Sequence, residues 1–129
     1  MRRDLVILTC AISAGIHGAL APEHFAEGAG AGIGFVAATV ALAGLAIALT
    51  VRPAGALGLT AAMVVFAGLL ASYALAITTG VPLLHPDREP ADGLALATKA
   101  IEAVGLLAAW SLLRRPSLAV SIPHPKGTT

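Results

Sequence analysis

Two histidines and two glutamates crowd into residues 17–27, HGALAPEHFAE, of a chain that is otherwise strongly apolar. His24 and Glu27 stand three apart, a spacing that aims an imidazole nitrogen and a carboxylate oxygen at one point. His17 and His85 are the only other histidines outside the C-terminal tail. Imidazole with carboxylate suits zinc, copper(II), nickel or iron, so His17, His24, Glu27 and His85 form the first candidate ligand set. None of the specific metal motifs, such as H-E-x-x-H, accompanies them. The same stretch also reads as a short interfacial helix. Pro22 suits a first helical position, Glu23 and Glu27 suit a helix N-terminus or an exposed face, and His24 and Phe25 are ordinary at a bilayer surface.

A second group lies far along the chain, at Thr98, Lys99 and Glu102. Lys99 and Glu102 are spaced to pair with each other on one helix face, with the lysine stem reaching toward the interface. Alternatively, Glu102 meets His17 across a helix bundle. A histidine and a carboxylate in a low dielectric can share a proton, hold a metal or hydrogen-bond a quinone headgroup. With Glu23 and Tyr73, these residues make up the candidate supporting shell and proton partners. Haem is a further use on paper, with His17 and either His24 or His85 as axial pair. No phosphate-binding loop, nucleophile elbow, C-x-x-C pair or basic patch with interleaved aromatics occurs. That argues against a nucleic-acid partner, and the chemistry leans away from an enzyme.

The elements that must position these residues are set by composition. Of the 129 residues 57% are apolar and only 12% charged, with a mean hydropathy of +0.88, whereas in soluble domains about a quarter of residues are charged. No charge occurs between Asp4 and Glu23, between Glu27 and Arg52, or between Arg52 and Asp87. Each gap is long enough to cross a bilayer core of about 30 Å. A fourth run, residues 94–113, is interrupted only by Lys99 and Glu102. The expected fold is therefore all-α: a polytopic membrane protein with spans near residues 5–21, 30–51, 55–79 and 93–113. Residues 1–115 form the membrane domain, and 116–129, with three prolines, a disordered tail. Strands are excluded because the runs do not alternate and backbone groups in lipid must be satisfied within a segment.

Basic residues give the orientation. Arg2, Arg3, Arg52, Arg114, Arg115 and Lys126 fall on one side and only Arg88 on the other, which places both termini in the cytoplasm of a bacterial plasma membrane. The loops 22–29 and 80–92 then face outward, and the net charge of +1 conceals a basic inside and an acidic, histidine-bearing outside. Residues 1–21 also have the basic start, apolar middle and A-x-A ending of a secretory signal. Pro22 just after the cut disfavours cleavage, and three spans follow. Cys10, alone inside a span, supports no intrachain disulfide.

Short connections make sequential spans antiparallel neighbours in a four-helix bundle. Small residues suggest their contact faces: Gly30, Gly34, Ala37, Ala41, Gly44 and Ala48 on the second span, and Gly68, Ser72 and Ala76 beside Ala67, Ala71 and Ala74 on the third. Gly30-x-x-x-Gly34 alternatively marks a homodimer seam, although such matches arise easily among 14 glycines. On the first span Cys10, Ser13 and His17 share a face. At about 1.5 Å per residue, His17 lies roughly 6 Å below the outer boundary, Tyr73 and Lys99 roughly 9 Å, and Glu102 roughly 13 Å.

Pro22-Glu23-His24-x-x-Glu27, Tyr73 with Thr79-Gly80-x-Pro82, and Glu89-Pro90-x-x-Gly93 leading to Glu102 resemble the small four-span membrane proteins of unknown function found in high-GC bacteria. The resemblance implies this topology and points to His17, Glu23, His24, Glu27 and Glu102 as shared polar positions. It carries no activity across. Three functions follow as expectations: a small non-enzymatic accessory or metal-handling protein, a haem- or quinone-binding subunit of a redox complex, and a structural subunit of a larger membrane complex.

Overall fold

A computed structural model of the chain describes residues 1–52, 55–81, 88 and 90–114. His85, Asp87 and Glu89, Pro82 of the loop motif, and the 116–129 tail lie outside the described residues. Four helices follow in order: α1 (Arg2–Glu27), α2 (Ala29–Val51), α3 (Ala56–Thr78) and α4 (Gly93–Leu113). Each is long and apolar enough to cross a membrane. In lipid no water can take up an exposed N–H or C=O, so an apolar run closes its hydrogen bonds upon itself as a helix.

The bounds of α2, α3 and α4 match the expected spans 30–51, 55–79 and 93–113 to within one residue. The α1 boundary corrects the reading from sequence. The helix does not stop at Ala21 but runs through Pro22 to Glu27, so the expected loop 22–29 shrinks to the single extended residue Gly28 (φ 172°, ψ 145°). Pro22 lacks the N–H that would bond the Gly18 carbonyl, a local loss. The following Glu-His-Phe-Ala-Glu contains no second breaker, and the Gly28 N–H still bonds the His24 carbonyl at 3.0 Å. His24 is therefore helix-borne, as is His17. Gly32 holds the junction: a Cβ there would fall 2.2 Å from the Phe25 ring, so only glycine lets that ring lie on the α2 backbone.

From this junction α2 runs back along α1 until the Arg3 guanidinium reaches the end of α2. Arg3 Nε donates to the Leu49 carbonyl at 3.0 Å, and Nη2 donates to the same oxygen, to Thr50 O at 3.2 Å and to Arg52 O at 3.0 Å. These carbonyls have no partner within the helix. Helix α1 packs against α2 and α4, α3 packs against α4, and α2 and α3 pack more lightly than these pairs. The chain leaves α3 through Gly80 at φ 77°, a backbone region that glycine occupies freely. It enters α4 at Asp92, whose Oδ1 accepts from the Ala95 N–H at 2.7 Å as an N-cap.

The apolar core fills one half of the molecule. Val6, Cys10 and Ala14 of α1 meet Leu42, Ala46 and Leu49 of α2, Leu59, Ala62 and Phe66 of α3, and Ala108 and Ala109 of α4. Gly105 lets α4 close on this core, since a Cβ there would stand 2.6 Å from the Phe66 ring and 2.6 Å from Thr9 Oγ1. The small-residue stripes are a second correction. On α2 the buried face is Ala31, Gly32, Ala38, Leu42, Ala46 and Leu49, while Ala37, Gly44 and Ala48 are exposed. On α3 the buried residues are Leu59, Ala62, Phe66 and Ala76, and Ala67, Gly68, Ala71, Ser72 and Ala74 are exposed. Small residues thus occur on both faces of these helices, and large ones such as Ile33, Val40, Ile47 and Val64 are exposed, so residue size alone does not mark the face that packs.

Candidate ligand-binding site

The other half of the bundle holds a cavity of about 560 Å³ between the end of α1, the start of α2, the end of α3 and the start of α4. Its walls are largely apolar, with Ile16, Leu20, Phe35, Leu69 and Leu94 among them. His17, Tyr73 and Lys99 supply polar groups, and Glu23, His24, Glu27 and Asp92 also line it.

Beneath this lining sits Glu102, fully buried. Its Oε1 accepts from the Ser13 hydroxyl at 2.8 Å and its Oε2 from the Lys99 ammonium at 2.8 Å. His17 Nε2 approaches Oε1 at 3.8 Å. The two sequence readings of Glu102 thus hold together: it pairs with Lys99 along α4 and meets His17 across the bundle. Ser13 and His17 reach it because they are one helical turn apart on the buried face of α1, as sequence spacing indicated. Glu102 does not line the cavity, whereas His17 and Lys99 do, so its effect there passes through those two side chains.

Both helix-borne histidines have one ring nitrogen occupied locally. Nδ1 of His17 lies 2.9 Å from the Ser13 carbonyl and Nδ1 of His24 lies 3.0 Å from the Leu20 carbonyl. A carbonyl can only accept, which assigns both Nδ1 atoms as N–H donors and leaves each Nε2 for other partners. The rings share Phe35 of α2: His24 stacks on it at 3.6 Å between centroids and His17 tilts against it at 5.2 Å. Phe35 was missed in the sequence, where its signal was being the sole aromatic residue of the second span.

Lys99 Nζ stands 5.6 Å from the centroid of the Tyr73 ring, within cation–π range. The Tyr73 hydroxyl is buried and has no hydrogen-bond partner among the described residues. A buried polar atom left in this way is expensive, by about 1–3 kcal/mol.

Of the proposed metal ligands, His17, His24 and Glu27 line this cavity, and His85 lies outside the described residues. Among the described residues, no group of three or more His, Cys, Asp or Glu side chains converges as a metal-ligand set. The Ser13 hydroxyl is committed to a carboxylate and Cys10 is sealed in the apolar core, which leaves neither poised as a nucleophile. What the arrangement can do is hold an apolar body and offer its polar end a few fixed donors. Comparison with protein-family models, with curated proteins and with solved structures gives no match to this chain.

Proposed function

We propose that this is a small non-enzymatic protein of a bacterial plasma membrane that binds a small amphipathic molecule in the cavity between its four helices. Both termini are cytoplasmic, by the distribution of arginines and lysines, and the cavity then opens on the outer side. The observation that carries the reading is one relationship: Lys99 and His17 line the cavity while the buried Glu102 behind them contacts both. A charged group placed inside a membrane helix is expensive, about 3 kcal/mol on insertion scales, and is a functional candidate by default. The cavity volume falls in the range of small-molecule sites, roughly 300–1,000 Å³.

A transition metal is the second reading, supported by a separate observation. In metal sites a ligating imidazole usually donates its other N–H to a carbonyl or carboxylate, and His17 and His24 both do so through Nδ1. Glu27 lines the same cavity, but the three side chains do not converge on one point, so this reading requires them to draw together on a metal.

Untagged protein purified in lipid nanodiscs, extracted with solvent for organic mass spectrometry and assayed in parallel for metals, tests both. One organic species in near-stoichiometric amount, beyond bulk lipid, supports the proposal. A stoichiometric metal lost in a His17→Ala/His24→Ala variant supports the second reading in its place. Protein free of both, carrying a co-purifying polypeptide, contradicts both and favours a structural subunit.

A further inference from the structure

Resting on the proposed ligand-binding role, we infer that the molecule bound has a neutral, carbonyl-bearing aromatic headgroup of the quinone class, and that Tyr73 reads its carbonyl. The charge at the inner wall is balanced, because the Lys99 ammonium is neutralised by Glu102. An anionic headgroup therefore finds no surplus positive charge there and also meets the carboxylates of Glu23, Glu27 and Asp92 that line the same cavity, while a cationic one drawn by those carboxylates meets the Lys99 ammonium at the inner wall. What the wall offers is donors. The Tyr73 O–H is buried without an acceptor among the described residues, and Lys99, with three N–H bonds of which one goes to Glu102, has others to give. A neutral headgroup with acceptor oxygens satisfies these donors without bringing in a charge.

Ring geometry supports a flat headgroup. Phe35 and Tyr73 both line the cavity, and aromatic faces pack well on a planar conjugated ring. The lightly packed α2–α3 side, where Gly34, Ala38, Ser72 and Ala76 line the cavity with small side chains, gives an apolar tail a route into the bilayer. The headgroup sits at the depth of Lys99 and Tyr73, and the tail leaves sideways.

The test uses native mass spectrometry of the full chain in nanodiscs, titrated with decylubiquinone and, separately, with decylbenzene, which has a comparable tail and a ring without oxygens. The quinone is expected to bind one per chain, at least about 10-fold more tightly than decylbenzene. One lost neutral hydrogen bond corresponds to roughly 3- to 10-fold in affinity. Tyr73→Phe should weaken the quinone by that factor and leave decylbenzene unchanged. The variant removes only an unpartnered hydroxyl, so its thermal stability should equal or exceed that of the parent. Equal binding of the two probes, or a Tyr73→Phe variant that holds the quinone as tightly as the parent, overturns the inference and leaves the proposed ligand-binding role standing. Absence of binding by either probe overturns the inference as well, and if solvent extraction also yields no bound species, the role itself falls.

Discussion

Nε2 of His17 lies 3.8 Å from Oε1 of Glu102, joining α1 to α4 at the level where the cavity gives way to the apolar core. Glu102 has two further partners, Ser13 and Lys99, and no exposed surface. Several consequences for stability and binding follow from that placement and from the contacts around it.

Removing the carboxylate alone should be severe. Glu102→Ala leaves the Lys99 ammonium without its counter-charge and the Ser13 hydroxyl without its acceptor, and breaking a buried pair in this way costs about 3–5 kcal/mol. A Lys99→Met/Glu102→Leu double variant removes both charges and should recover more than half of that loss. Unfolding by sodium dodecyl sulfate in mixed micelles measures both. A double variant as weak as Glu102→Ala would show that the pair is not what the bundle needs there.

Gly105 and Gly68 should respond in opposite ways to one added methyl group. At Gly105 the new Cβ meets the Phe66 ring and Thr9 Oγ1, each at 2.6 Å, and overpacking of this kind costs about 1–3 kcal/mol. Gly68 has nothing within 4 Å of the same position, so alanine should leave stability unchanged or raise it by up to about 1 kcal/mol. Thermal unfolding of the two variants side by side is the check. Equal effects would place Phe66 elsewhere.

Arg3 should hold the last turn of α2. Its guanidinium donates to the carbonyls of Leu49, Thr50 and Arg52, and charge-assisted hydrogen bonds are worth about 1.5–3 kcal/mol. Arg3 is partly exposed, so the lower end of that range applies. Arg3→Ala should lower stability by about this amount and speed hydrogen exchange in the last turn of α2. Arg3→Lys keeps the charge but loses the planar fork, so it should restore less than half. Unaltered exchange in Arg3→Ala would contradict the cap.

The helices were legible in the sequence because charges are segregated: Glu27 and Arg52 bracket α2 closely and Arg52 precedes the start of α3, whereas the end of α3 at Thr78 falls well before the next charge, Asp87, close to the Thr79-Gly80 exit. The polar face of α1 was legible for a similar reason, since Ser13 and His17 stand out in a helix of apolar neighbours. Lys99 and Glu102 could be paired by spacing alone. The faces of α2 and α3 could not be read, because in lipid both the inward and the outward side of a helix are apolar, and small residues do not tell one from the other. The run of α1 through Pro22 was hidden by a residue that usually ends helices. Tyr73 near Lys99 joins α3 to α4, a tertiary relation that no local spacing encodes.

A ligand held in the cavity should be displaced when the cavity is filled. Gly34 lines the cavity and Gly44 does not, yet neither has an atom within 4 Å of an added Cβ, so Gly34→Leu and Gly44→Leu form a matched pair. Solvent extraction and mass spectrometry of both proteins, purified in nanodiscs, should find the bound small molecule retained in Gly44→Leu and lost in Gly34→Leu, with both equally folded. Retention of the same species by Gly34→Leu at the level of Gly44→Leu would contradict the account.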